Sequence, residues 1–208
     1  MTSEITFLLS GVVFGLSGGL TPGPLLTLVI SETLKHGVKE GIKIAIVPLL
    51  SDLPIVLCSV YIIARLANVH YIIGTIALLG TIFLIYLGYE SIVFKGIELN
   101  IQQIKPQSIR KGLITNFLNP NPYLFWISVG APTVIKASKV SLTAAILFIM
   151  FMYIFLVGSK MMTAVIIGKS RVFLKSKNYI YTIKVLGIIL FIFAFIFFRE
   201  SLKSFGIL

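Results

Sequence analysis

Two ionisable side chains, Asp52 and Lys160, stand inside long apolar runs where a charge is unfavourable. Asp52 lies nine residues after Lys43, about 13.5 Å along a helix at 1.5 Å per residue. Lys160 lies nine residues before Lys169, the same distance from the corresponding boundary of its own run. In a hydrocarbon core about 30 Å thick, both reach the neighbourhood of the midplane. A charge at that depth needs a partner or a water-filled cavity. Asp52 and Lys160 are therefore expected to pair or to line one cavity. A carboxylate in that place can bind and release a proton, which makes Asp52 the candidate for coupling to a proton gradient. A purely structural ion pair is the alternative.

Two proline pairs supply the second kind of chemistry. Thr21-Pro22-Gly23-Pro24 interrupts the first apolar run, and Asn119-Pro120-Asn121-Pro122 interrupts another 98 residues later. Proline removes a backbone donor and clashes with the preceding turn, and the residue before it is pushed out of the helical region. A broken helix exposes N–H groups at one half-helix start and C=O groups at the other half-helix end. In a membrane such groups are tolerated only where they line an enclosed or wet cavity. The N–H ends favour a carboxylate and the C=O ends an ammonium, so two facing breaks suit a zwitterion such as an amino acid. The candidate substrate-binding residues are Thr21, Pro22, Gly23, Pro24, Asn116, Asn119, Pro120, Asn121 and Pro122, with Asn116 about one turn upstream of Asn119. Gly15, Gly18 and Gly19 would let a neighbouring helix approach the first break closely. The alternative is that the prolines merely kink their helices.

The elements that hold these residues must be membrane helices. Of 208 residues, 57% are hydrophobic and 12% charged, with mean hydropathy +1.03. A soluble domain carries about 25% charged residues. Six apolar runs have spanning length: roughly Ile5 to Leu34, Ile44 to Ala64, Tyr71 to Phe94, Leu113 to Ile135, Leu142 to Ile167 and Tyr179 to Phe198. They are too uniformly apolar for alternating barrel strands. The expected fold is an all-α integral membrane protein of six transmembrane helices.

Basic residues set the orientation. The odd-numbered connections carry eleven: Lys35, Lys39, Lys43, Lys95, Lys105, Arg110, Lys111, Lys169, Arg171, Lys175 and Lys177. The other side carries five: Arg65, Lys136, Lys139, Arg199 and Lys203. The positive-inside bias places the odd loops in the cytoplasm and both termini outside, in the plasma membrane. The net charge of +11 thus reflects topology and not a nucleic-acid partner. The polar stretch about 96–111 then divides one transmembrane domain, 1–208, into halves of three spans, about 1–95 and 112–208. The broken helices 1 and 4 occupy equivalent places, the pattern of a 3+3 inverted repeat with a site at the midplane. The first run lacks a basic leader and a small-residue cleavage site, and reads as a retained span.

The remaining candidates are weaker. Glu90 and Lys184 lie near span ends, where snorkelling accounts for them. His36 and His70 fall in loops and are expected to be solvated. Cys58, the single cysteine, is expected to be a small buried residue, and it excludes an internal disulfide and a two-cysteine redox carrier. Tyr123, Phe125 and Trp126 follow the second break and either line the cavity or face lipid. No paired acids, histidine metal site or nucleophile with a base stands within the spans. No enzymatic activity, resident metal or cofactor is therefore expected.

Several segments together resemble the LysE/RhtB family of amino-acid exporters. Gly19-Leu20-Thr21-Pro22-Gly23-Pro24, followed by Gly37 and Gly41, is similar to the family's PGP motif and the glycines after its first span. Asp52 matches the family's acidic residue in span two. Tyr86-Leu87-Gly88-Tyr89 and Gly112-Leu113-Ile114-Thr115-Asn116-Phe117-Leu118-Asn119-Pro120 resemble its YLG and G-x-x-x-N-x-x-N-P segments. Two positions depart: Leu25 stands where the family often has Asn or Asp, and Asn121-Pro122 replaces its usual Lys. The resemblance implies a six-span inverted-repeat fold and secondary-active efflux of amino acids or related small solutes. A divalent-cation exporter of the same superfamily, a channel and a structural membrane subunit remain as alternatives. The implied partners are the lipid bilayer, a small-molecule substrate, a proton or other coupling ion and, through glycine-rich faces, a second copy in a homodimer.

Overall fold

Apolar runs of this length fold as helix because a helix satisfies its backbone N–H and C=O groups within one segment. The computed structural model describes residues 2–21, 23–66, 70–93, 108–169 and 177–207, and all regular structure among them is helical. Pro22 and most of the proposed 96–111 linker lie outside the described residues.

The first span is divided into α1 (Thr2–Leu20) and α2 (Pro24–His36), whose axes differ by 58°. Pro24 takes the first position of α2, where its missing N–H would have had no intrahelical acceptor. Gly37 ends α2 with φ 93°, a conformation that strains other residues, and its N–H reaches the Thr33 carbonyl. The chain can therefore turn back, and α3 (Val38–Ala45) packs on α2 before α4 (Val47–Leu66) begins.

After α5 (His70–Val93), the second interrupted region is more finely divided. It comprises α6 (Ser108–Leu118), a stop at Asn119, α7 (Pro120–Phe125), a π-helical turn at Trp126–Gly130 and α8 (Ala131–Val140). α9 (Leu142–Lys169) and α10 (Lys177–Ser204) are long and unbroken. Among the described residues, four helical stretches are long and apolar enough to cross a membrane: Val38–Leu66, Tyr71–Val93, Leu142–Lys169 and Ile180–Ser204. The bent pair α1–α2 makes a fifth when counted as one span. The expected span from Leu113 to Ile135 is not among them, because it is cut at Asn119 and again loosened at the π turn.

Glycines set the closest packing. Gly11, Gly15 and Gly19 form a stripe at four-residue spacing on α1, against the backbone of α9. A Cβ added to Gly11 would lie 2.5 Å from the Phe148 carbonyl oxygen, so the two helices meet without intervening side chains. α5 packs on α10 in the same manner. A Cβ on Gly187 would lie 2.8 Å from the Gly88 oxygen, and one on Gly88 would lie 3.0 Å from the Gly187 oxygen. α4 packs against α6, the π turn and α8. Between these pairs lies a core that includes Phe14, Leu84, Trp126, Phe148 and Met152. Phe14 meets Phe148 and Phe125 edge to face. Cys58 is exposed on the outside of α4, contrary to the expectation of burial. In a membrane bundle the outward face is apolar, so a small apolar residue has no preference for the interior.

Candidate functional site

The two breaks and the two buried ionisable residues, Asp52 and Lys160, meet at one cavity of about 130 Å³. Thr21 and Gly23 line it from the first break. Asn119, Asn121 and Pro122 line it from the second, with Asn116 one turn above. Asp52 and Lys160 face the same space from α4 and α9.

Pro24 and Pro120 do not line the cavity. Both are exposed residues at the first position of a half-helix, Pro24 in α2 after Gly23 and Pro120 in α7 after Asn119. Their role is conformational: the fixed φ starts the new half-helix. The structural correspondence is thus Gly23-Pro24 with Asn119-Pro120, offset by two residues from the pairing of the two Pro-x-Pro segments.

Asp52 and Lys160 share the cavity without direct contact. Lys160 is 4% exposed, and its Nζ donates to the carbonyl oxygens of Gly18 at 2.7 Å and Gly19 at 3.1 Å. These belong to the last turn of α1, whose final carbonyls have no intrahelical donor. An ammonium there also complements the negative end of the helix dipole.

Asp52 is likewise 4% exposed and is held by a separate network. Asn116 Nδ2 donates to Asp52 Oδ1 at 2.6 Å and to Ser51 Oγ at 2.6 Å, while Tyr153 OH donates to Asp52 Oδ2 at 3.4 Å. Ser51 Oγ in turn donates to the Val47 carbonyl. Tyr153 stacks on Trp126, with ring centroids 6.3 Å apart and planes inclined by 19°. Trp126 and Phe125 form part of the cavity wall. Tyr123 does not, and its hydroxyl donates to the Phe117 carbonyl at the end of α6.

Sequence reasoning passed over three residues. Tyr153 stands seven residues, two helical turns, before Lys160, which places both on one face of α9. Ser17 stands one turn before Thr21. It lines the cavity, and its hydroxyl is buried with no hydrogen-bond partner among the described residues. Glu32 is 2% exposed within α2. Its carboxylate lies 3.3 Å from Lys111 Nζ on α6 and 3.7 Å from His36 Nε2. His36 thus belongs to the end of α2 beside Glu32 and not to a solvated loop. The side chain of His70 lies outside the described residues.

Long apolar helices, two interrupted regions and a cavity carrying an acid and a base define a multi-pass membrane transporter. The chain belongs to the LysE type translocator family, whose model matches residues 16–201. Members of this family are membrane exporters of small solutes and not enzymes. No curated protein and no solved structure matches the chain. The Gly88 of the Tyr86–Tyr89 segment now has a physical role, the close contact with Gly187, and Leu87 beside it lines the cavity.

Proposed function

We propose that the protein exports amino acids or related small solutes across the plasma membrane by secondary-active transport, coupled to proton movement through Asp52. The observation that carries this reading is the cavity's pair of opposite charges. Asp52 and Lys160 line one small space without neutralising each other by contact. A substrate bearing an ammonium and a carboxylate complements both, whereas a divalent cation would sit beside the Lys160 ammonium. Asp52 is the one carboxylate among the cavity residues, which supports it as the proton carrier.

The same reading takes the chain as a single transmembrane domain of two inverted repeats, about 1–95 and 112–208, joined by the cytoplasmic 96–111 linker, with both termini outside. Packing supports it. Exchanging the two repeats exchanges α1-on-α9 with the fourth region on α4 and leaves α5-on-α10 unchanged. The reciprocal approach of Gly88 and Gly187 is what a two-fold relation between the third and sixth spans requires.

The test is counterflow in proteoliposomes against a panel of amino acids and divalent cations. One or more amino acids are expected to exchange with saturation. Exchange of divalent cations alone would replace the substrate assignment, and ohmic flux indifferent to a proton gradient would indicate a channel.

A further inference from the structure

We propose that the first helix break is a carboxylate-binding subsite, formed by the α2 N-terminus, Ser17 and Lys160. This rests on the amino-acid reading above and adds an orientation to it: the substrate carboxylate sits toward α2 and its ammonium toward Asp52.

Three separate features converge on this end of the cavity. First, α2 begins without a side-chain cap, since its N-cap residue is Gly23. Helix geometry leaves the N–H groups of Leu25 and Leu26 with no intrahelical acceptor, and both residues line the cavity. Such an uncapped start attracts an anion through its N–H groups and its dipole. Second, the Ser17 hydroxyl is an orphan. Ser17 lines the same cavity and is 3% exposed, and its Oγ has no partner among the described residues. Buried hydroxyls rarely stay unsatisfied, so this one marks a place where a ligand atom accepts a bond. Third, Lys160 has three protons and uses two of them, on Gly18 and Gly19. Its charge is fixed beside the α1 end, and one donor remains for the cavity.

The second break offers no equivalent. The start of α7 is closed by its own residue, with Asn121 N–H donating to Asn119 Oδ1 at 3.1 Å. No lysine among the cavity residues comes from that side. An anionic group therefore has one place to go. Asp52, held on α4 by Asn116 and Tyr153, is left for the cationic group.

Competition counterflow on the full chain in proteoliposomes tests this, using the amino acid that exchanges best as labelled substrate. Competitors are the same acid unlabelled, its primary amide, the amine lacking the carboxyl group, and inorganic phosphate. The acid is expected to compete at least about tenfold better than the amide or the amine, the factor for one hydrogen bond to a charged group. Ser17→Ala is expected to raise the half-saturation concentration for the acid and to narrow the acid-to-amide ratio. The Ser17 hydroxyl holds nothing in place, so its removal leaves the fold intact.

Trp126 is the sole tryptophan and stands in the cavity wall, so its emission reports binding directly in detergent. The acid, and not the amide, is expected to change it. Equal competition by acid and amide, or an unchanged ratio in Ser17→Ala, would overturn the subsite while leaving export standing. Phosphate competing as well as the acid would overturn carboxylate selectivity in favour of a general anion site. Failure of the export reading is a different result, in which no amino acid exchanges. Trp126 emission then still decides the subsite: an acid-specific change keeps it, and an indifferent one removes it.

Discussion

At the first helix break, the last carbonyls of α1 are held by Lys160 from α9, and the start of α2 carries no cap. At the second, Asn119 caps α7 with its own side chain, Tyr123 holds the Phe117 carbonyl at the end of α6, and Asn116 reaches out to Asp52. One break is completed by a distant helix and left open toward the cavity. The other is completed locally and spends its polar groups on positioning a carboxylate. Two interrupted helices that face one cavity thus need not do the same work: residue choice at the cap decides which helix start is left open toward it.

The contrast can be broken most severely at Lys160. Lys160→Met removes the donor to the Gly18 and Gly19 carbonyls at the end of α1, the second of them on a buried residue, and leaves the Asp52 charge without its counterpart in the cavity. A buried polar group left unpaired costs about 1–3 kcal/mol. The variant is expected to lose several kcal/mol of stability, read as lowered thermal unfolding in detergent, and to lose transport. An unchanged unfolding temperature would mean that the α1 end does not depend on α9.

Asn116→Leu comes next. It deprives Asp52 and Ser51 of their shared donor while keeping similar bulk. Gradient-driven transport is expected to fall by at least about tenfold, the factor that 1.4 kcal/mol represents, with a smaller change in unfolding temperature than for Lys160→Met. Transport at the parent rate would show that Asp52 needs no positioning from the second break.

Asn119→Ala sharpens the comparison from the other side. Loss of an N-cap costs about 1 kcal/mol. Unfolding is expected to shift by that amount, with the half-saturation concentration for substrate little changed. A large loss of affinity would instead assign ligand contact to the second break. The smallest effect is expected from Glu32→Gln, which keeps a hydrogen-bonding group between α2 and α6 while removing the charge that faces Lys111 and His36. Stability is expected to change by about 1 kcal/mol or less, because an amide oxygen still accepts from Lys111.

Much of this arrangement was legible in the sequence. Prolines and single charges inside apolar runs are conspicuous because a bilayer penalises both, so the breaks, Asp52 and Lys160 stood out before any packing was known. The partners were not legible. Lys160 takes backbone carbonyls in place of Asp52, since helix-end acceptors carry no side-chain signature. Ser17 and Tyr153 are ordinary residues in membrane helices, and only packing shows that the first lines the cavity and the second reaches Asp52. The offset between the two proline pairs was hidden because either proline of each pair can start a helix. Glu32 was overlooked near a span end, where its burial depends on Lys111, 79 residues away.

The central claim is that this cavity couples solute export to a proton carried on Asp52. The direct measurement compares the parent protein with Asp52→Asn in proteoliposomes, following amino-acid export with and without an imposed proton gradient. Asparagine keeps an oxygen to accept from Asn116, so the fold is retained while the proton site is lost. The account predicts that Asp52→Asn no longer accumulates amino acid against a gradient, and that any exchange it retains needs a higher substrate concentration, because the ammonium has lost its carboxylate partner. Gradient-driven accumulation at the parent level would contradict it.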